Sequence, residues 1–139
     1  MKTCYIYART ATITQQKLTN GHSEAINNQI RICQDYAKKH RYKVLGVFTD
    51  IGISGNTLRR IDLQRLLASC KKHSPTVVIV PRIDRISRNV ADFVKINKRF
   101  KEKDIKLISV AEGKLSTSNL VANIIVSVAQ WEQERSRLK

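Results

Sequence analysis

A run of β-branched residues that ends at a proline and a cluster of charges constrains the fold of this chain most strongly. The run from Val77 to Val80 is typical of a strand buried on both faces, and Pro81 cannot continue a central ladder. Ligands of open parallel α/β sheets bind beyond the carboxyl ends of the strands. The ionic side chains that follow lie where such a site is expected: Arg82, Asp84, Arg85 and Arg88. Three guanidinium groups there suit a phosphate, although the same residues, taken alone, also fit a solvated loop.

Strand-like and helix-like patterns alternate along the whole chain. We expect strands at about 4–8, 44–48, 77–80 and 106–110, and helices that begin near 24, 60, 90 and 119, with a polar loop over 112–118. The first two helices each carry an apolar stripe, formed by Ile26, Ile30, Cys33 and Ala37 in the first and by Leu63, Leu66, Leu67 and Cys70 in the second. This alternation predicts an α/β fold with a mostly parallel sheet of four or five strands and helices on both faces.

The last segment, 119–139, has the pattern of a long helix that leaves the globule. Its apolar stripe runs through Leu120, Ile124, Val128 and Trp131 into a charged tail. We therefore expect a core over 1–118 and a protruding C-terminal helix that makes dimer or DNA contacts. The alternatives are a frayed terminus and the cut end of a longer chain. No helix-turn-helix or zinc pattern occurs in the sequence, so a DNA-recognition domain is expected to be absent from this chain.

The charge balance predicts a polyanionic partner. The chain has 26 Lys and Arg residues against 11 Asp and Glu, a formal net charge of +15. Nucleic acid is the favoured partner, because basic surfaces gain free energy when they displace the counterions of phosphates. No apolar run has the length of a membrane span and no signal-peptide pattern precedes the first strand, which favours the cytoplasm. The three cysteines, Cys4, Cys33 and Cys70, lie far apart in apolar patterns and are expected to be reduced core residues.

Polar residues near strand ends and in loops form a combination that identifies a family. They are Tyr7-Ala8-Arg9, Gln15, Gln29, Asp50, Ser54-Gly55, Arg60, Asp84-Arg85-Ile86-Ser87-Arg88 and Glu132. Together they resemble the catalytic domain of the serine recombinases, the resolvase/invertase family, over almost the whole chain. The loop over 19–23 is similar to that of the large or transposon-borne members.

The resemblance implies a reaction. In that family a serine hydroxyl attacks a DNA phosphodiester, which gives a 5′-phosphoseryl link and a free 3′-hydroxyl, and strands are rejoined within a tetramer built from dimers on double-stranded DNA. Covalent catalysis of this kind retains the phosphodiester energy, so neither ATP nor a metal cofactor is expected. The outcome class, whether integration, excision, inversion or transposition, is not implied.

The resemblance also implies roles for individual residues. Arg9, Arg85 and Arg88 match the phosphate-binding arginines, Arg60 matches a further active-site arginine, and Asp84 matches an acid that orients them or handles a proton. The supporting positions are Tyr7, Gln15, Gln29, Asp50 and Ser54. In the last helix, Trp131, Glu132, Arg135 and Arg137 are the candidates for dimer or DNA contacts.

One departure falls on the position of the nucleophile. The family pattern is Tyr-x-Arg-Val-Ser, whereas this chain has Ala11 in the place of the serine. A methyl group cannot attack phosphorus. Three explanations stay open: a substitution made to trap an uncleaved state, a naturally degenerate copy, and a relocated hydroxyl at Thr10 or Thr12. The relocated hydroxyl is disfavoured, since neighbouring residues of an extended segment point to opposite faces.

We therefore expect the catalytic domain of a serine-type DNA recombinase, which does not cleave as written. The alternative is a degenerate, non-cleaving DNA-binding or regulatory dimer of the same fold. A weaker alternative is a nucleotide-binding α/β domain. The sequence has no Gly-rich phosphate loop of the dinucleotide or the NTPase type, which argues against it.

Overall fold

The structure, a computed structural model, describes residues 2–10, 24–51, 61–86, 90–111 and 113–114. For Glu24, Asp84, Val90, Gly113 and Lys114 it describes the backbone alone. The C-terminal helix expected over 119–139 and the loop over 19–23 lie outside the described residues.

The described segments form a five-stranded sheet with helices between its strands. In chain order the elements are β1 (Thr3–Thr10), α1 (Glu24–Lys39), β2 (Lys43–Ile51), α2 (Ile61–Lys72), β3 (Val77–Val80), α3 (Ile83–Ile86), α4 (Val90–Glu102), β4 (Lys106–Ser109) and β5 (Gly113–Lys114). The strand order is β2-β1-β3-β4-β5. The first four strands are parallel and β5 is antiparallel to β4. The predicted α/β class with a mostly parallel sheet is confirmed.

The two faces of the sheet bury separate apolar clusters, because side chains alternate along β1. Tyr5 and Tyr7 pack in the cluster that includes α2, α3 and α4 residues, whereas Cys4 and Ile6 pack against Cys33 and Ala37 of α1. All four residues of β3 are buried, as a strand covered on both faces requires. Helices therefore cover both faces, as the stripes predicted.

Two short segments differ from the sequence prediction. Residues 113–114, expected in a polar loop, pair with Ser109 and Ile108 of β4 and extend the sheet by one short strand. Residues 83–86, within the supposed loop after β3, form a helical turn. The N–H of Arg85 donates to the carbonyl of Arg82 at 3.1 Å, and Ile83 and Ile86 are both buried. Residues three apart lie on the same side of a helical turn, so this conformation lets both isoleucines enter the core together.

The ends of α1 and α4 share a tight left-handed cap. Arg41 and Asp104 have φ values of 60° and 56°. The residue after each closes the cap: the N–H of Tyr42 donates to the carbonyl of Ala37 at 2.8 Å, and that of Ile105 to Phe100 at 2.9 Å. Both helices thus reverse directly into the strand that follows. Among the described helices, none has the length and apolar character needed to cross a membrane.

Candidate active site

The carboxylate of Asp50 accepts three hydrogen bonds at the carboxyl edge of the sheet. It lies one residue before the end of β2 and is 3% exposed. Its Oδ2 accepts the Tyr7 hydroxyl at 2.7 Å and the Leu63 N–H at 3.0 Å, and its Oδ1 accepts the Asp62 N–H at 3.0 Å. These two N–H groups belong to the first turn of α2, where backbone donors lack partners within the helix. Asp50 therefore joins β1, β2 and α2 at one point.

A second carboxylate completes the junction between β2 and α2. Oδ2 of Asp62 accepts the N–H of Thr49 at 2.9 Å, while the N–H of Asp62 donates to Asp50. Oδ1 of Asp62 also pairs with Arg65 at 3.2 Å, one turn along the helix. Sequence reasoning missed Asp62. Its signal was present, since an acidic residue in the first turn of a helix suits the positive end of the dipole.

Arg9 is completely buried, with 0% of its surface exposed, and its backbone is held by one side chain of α1. The carboxamide of Gln29 accepts the Arg9 N–H at 3.2 Å and donates to the Arg9 carbonyl at 3.1 Å. Pairing between β1 and β3 ends at Ile6, whereas β1 continues to Thr10. Both polar backbone groups of Arg9 are thus satisfied by Gln29.

The side chain of Arg9 reaches the turn that follows β3. Its Nε donates to the carbonyl of Arg85 at 3.2 Å. Arg85 is half-buried, and Arg82 in the same segment is exposed. Because Ile83 and Ile86 fix the turn in the core, the position of Arg85 is set by packing. Two arginines from distant parts of the sequence, Arg9 and Arg85, therefore meet at one edge of the sheet, and the exposed Arg82 belongs to the same segment as Arg85.

The structure brings together five of the residues singled out from the sequence: Tyr7, Arg9, Gln29, Asp50 and Arg85. Asp84 is placed in α3 by its backbone only. The remaining candidates lie outside the described residues, namely Ala11, Gln15, Ser54, Arg60, Arg88, Trp131, Glu132, Arg135 and Arg137.

The cysteines do not supply a nucleophile to this edge. All three are free and buried. Burial raises the pKa of Cys4 to about 11 and the pKa values of Cys33 and Cys70 to about 12, so the thiols stay protonated at neutral pH. In the described parts of the chain, no three His, Cys, Asp or Glu side chains are grouped so that they could hold a metal ion.

Residues 4–139 match the family model described as the N-terminal domain of resolvase. The chain belongs to the resolvase N-terminal domain family. The resemblance to the serine recombinases that the motifs indicate is confirmed, and the mostly parallel α/β sheet agrees with it.

Relatives and solved structures agree with this assignment. This resolvase domain is 28% identical to the transposon Tn3 resolvase of Escherichia coli over 134 residues, which cover 93% of this chain and 63% of that protein. It superposes on the N-terminal catalytic domain of TP901-1 integrase with a TM-score of 0.73 and 30% identity, covering 99% of this chain and 100% of that one. With the C-terminal catalytic domain of ISC1926 TnpA, an IS607-like serine recombinase, the TM-score is 0.67 at 29% identity, covering 92% and 81% of the two chains. The chain spans less than two thirds of the length of the curated relatives it matches.

Proposed function

We propose that this resolvase domain is the catalytic domain of a site-specific recombinase that cleaves and rejoins double-stranded DNA through a serine ester. The proposal rests on the contact between Arg9 and Arg85, two arginines from separate segments: Nε of Arg9 donates to the backbone carbonyl of Arg85 at the carboxyl edge of the sheet. Family membership supports the assignment. We further propose that Arg60, Arg88 and Asp84 complete the site, and that Gln15 and Ser54 support it.

The chemistry requires fixed positive charge. In the forward step a serine oxygen bonds to phosphorus while the bond from phosphorus to the 3′-oxygen breaks, the serine proton passes to a base, and the departing oxygen takes up a proton. Negative charge grows on the non-bridging oxygens as phosphorus becomes five-coordinate. Guanidinium groups remain protonated at any working pH and present paired donors to such oxygens. Donors held rigidly before the reaction stabilise that charge without reorganising.

Gln29 and Asp50 would then act by positioning. Gln29 fixes the backbone of Arg9 through two hydrogen bonds, and Asp50 fixes Tyr7, which lies two residues earlier on the same face of β1. A displacement of about 1 Å in a site of this kind can lower a rate by about 100-fold. Gln29 and Asp50 are therefore positioning residues, which affect the reaction through Arg9 without touching the phosphate.

The chain as written carries Ala11 where the reaction needs an oxygen nucleophile. We propose that it binds DNA without cleaving it, and that a serine at this position is the reactive form. We also propose the division into a core over 1–118 and a helix over 119–139 that carries dimer and DNA contacts at Trp131, Glu132, Arg135 and Arg137. Dimers on DNA would pair into a tetramer for strand exchange.

Adduct trapping tests the proposal. An Ala11→Ser variant of the full-length protein is incubated with duplexes tiled across the DNA that flanks its gene, and the products are separated under denaturing conditions. We expect a covalent protein–DNA adduct that maps to residue 11, and none with the chain as written. If Ala11→Ser binds DNA but forms no adduct on any duplex, the non-cleaving regulatory dimer of the same fold is the better account.

A further inference from the structure

A second basic surface lies at the amino edge of the sheet, on the side opposite the candidate active site. The segments that meet there are residue 2, 38–43, 71–76 and 99–106. They carry eleven exposed cations against two acids, Glu102 and Asp104. We call the eleven the amino-edge cations: Lys2, Lys38, Lys39, Arg41, Lys43, Lys71, Lys72, Arg99, Lys101, Lys103 and Lys106.

Backbone hydrogen bonds show that these segments share one edge. The N–H of Lys43 donates to the carbonyl of Lys2 at 2.9 Å, that of Thr76 to Thr3 at 2.9 Å, and that of Lys106 to Thr76 at 3.3 Å. The starts of four parallel strands are thus aligned in a row about 14 Å long, given the usual spacing between strands. The C-terminal turns of α1, α2 and α4 immediately precede β2, β3 and β4, so their basic residues border the same row.

Helix stability alone does not require this concentration of charge. Cations in a last turn suit the negative end of the helix dipole, which accounts for six of the amino-edge cations: Lys38, Lys39, Lys71, Lys72, Arg99 and Lys101. It does not account for Lys2, Lys43 and Lys106, which precede or begin strands. Like charges placed this close repel one another, so the surface gains free energy when a polyanion covers it.

A groove at the same edge suits a sugar–phosphate backbone. It has a volume of about 230 Å³ and lies between α2 and α4. Three amino-edge cations line it, Lys71, Arg99 and Lys103, together with one acid, Glu102. The remaining lining residues are Leu67, Cys70 and Phe100. The three cations outnumber the acid, so the lining carries net positive charge that suits phosphate oxygens, and the apolar side chains suit the sugars between phosphates. Tyr36 and Tyr42 are partly buried against the cluster that includes Cys33 and Ala37 of α1, on the other face of the sheet, so their rings contribute to the core there.

We propose that the amino edge is a second duplex-DNA surface, which binds the phosphate backbone without sequence preference. β1 has eight residues, so the amino edge lies about 26 Å from the carboxyl edge. A duplex held at the candidate active site therefore leaves the amino edge open to a second duplex. This surface goes beyond the proposed function, since it needs neither a nucleophile nor cleavage.

The test compares two variants of equal charge. One replaces three amino-edge cations, Lys43→Gln, Lys72→Gln and Lys106→Gln; the control replaces three exposed cations of the helix bodies, Arg31→Gln, Lys95→Gln and Lys98→Gln. Affinity for a short random-sequence duplex is measured by fluorescence anisotropy between about 50 and 200 mM salt. All six side chains are exposed, and circular dichroism verifies that each variant is folded.

Each phosphate contact contributes about 0.9 to the slope of log affinity against log salt. We expect the amino-edge variant to lower the magnitude of that slope by about 2 to 3, the control by less than about 1, and a Lys43→Arg, Lys72→Arg, Lys106→Arg variant to bind as the starting chain does. Equal losses in the amino-edge and control variants would mean that net charge alone governs binding. An unchanged slope in the amino-edge variant would show that the amino-edge cations do not contact DNA phosphates. Either result overturns the proposal, and neither depends on whether Ala11→Ser forms an adduct.

Discussion

The hydroxyl of Tyr7 donates to Oδ2 of Asp50 at 2.7 Å, and the same oxygen accepts the N–H of Leu63 at 3.0 Å. A central strand, an edge strand and the start of a helix therefore meet on one buried carboxylate. Arg9 lies two residues beyond Tyr7 on β1 and is the register partner of Asp50 on β2. The junction that stabilises the fold thus also fixes the strand that carries the buried arginine.

The first prediction concerns this junction. In Asp50→Asn one carboxylate oxygen becomes an amide donor that faces donors, so the free energy of unfolding should fall by about 3 kcal/mol. Tyr7→Phe removes one bond and should cost about 1 to 2 kcal/mol. Urea unfolding of the single and double variants gives the coupling between the two side chains, expected to exceed about 1 kcal/mol.

The control for this pair is Asp35→Asn, at an exposed position of α1. It should stay within about 0.5 kcal/mol of the starting chain. A coupling near zero between Tyr7 and Asp50, with both single variants destabilised, would show that their hydrogen bond contributes nothing of its own.

The second prediction concerns the support of Arg9. Gln29→Leu removes both hydrogen bonds to the backbone of Arg9 and should lower the free energy of unfolding by about 1 to 2 kcal/mol. The loss is of this size because the site is part-buried, so water restores only some of the hydrogen bonding to the Arg9 N–H and carbonyl. Gln34→Leu, at an exposed position of the same helix, is the matched control and should change stability little. Equal effects in the two variants would point to helix propensity as the cause.

The third prediction follows from the buried thiols. Burial raises the pKa of Cys4 to about 11 and of Cys33 and Cys70 to about 12, above the ordinary value of 9.0. The folded state therefore keeps protons that the unfolded state releases, so this contribution to stability is complete below pH 9 and is lost as the pH rises through about 11 to 12. Iodoacetamide should modify none of the three thiols in the native protein at neutral pH and all of them in denaturant. Rapid native labelling of any one would contradict its burial.

The fourth prediction uses the left-handed caps. Arg41 and Asp104 adopt positive φ values that a side chain disfavours, so Arg41→Gly or Asp104→Gly should raise the free energy of unfolding by about 0.5 to 1 kcal/mol. The counterpart Gln34→Gly, at an exposed position inside α1, should lower it by about as much. Thermal unfolding distinguishes the two. A loss of stability in both cap variants would mean that the contacts of those side chains outweigh the backbone strain.

Sequence patterns predicted most of the sheet because burial and backbone preference agree there. The run Val77–Val80 is apolar throughout and central, and the stripe of α2 is buried at all four positions that the spacing indicated. The turn at Ile83–Ile86 was missed because its two apolar residues, three positions apart, lie among charged residues, and two apolar residues are too few to define a helical pattern. β5 was missed because two residues carry too little pattern to identify a strand.

The candidate site was predictable in its residues more than in its contacts. The resemblance supplied Arg9, Gln29, Asp50 and Arg85 as members of one site. It did not supply the bonds from Gln29 to the Arg9 backbone, nor the bond from Arg9 to the Arg85 carbonyl, since these depend on how distant segments pack. The hydrogen bonds between Asp62 and the end of β2 likewise depend on the packing of separate segments and were not predictable from the sequence.

The most direct measurement of the central claim is the rate of adduct formation by Ala11→Ser with and without Arg9→Lys, at saturating DNA. Lysine keeps the charge but cannot reproduce the guanidinium fork or its bond to the Arg85 carbonyl. With Arg31→Gln as the surface control, we predict a rate lower by about 100- to 1,000-fold in the Arg9→Lys variant, with DNA affinity changed much less. An unchanged rate in a folded Arg9→Lys protein would contradict the proposal that the buried guanidinium of Arg9 stabilises the reacting phosphate.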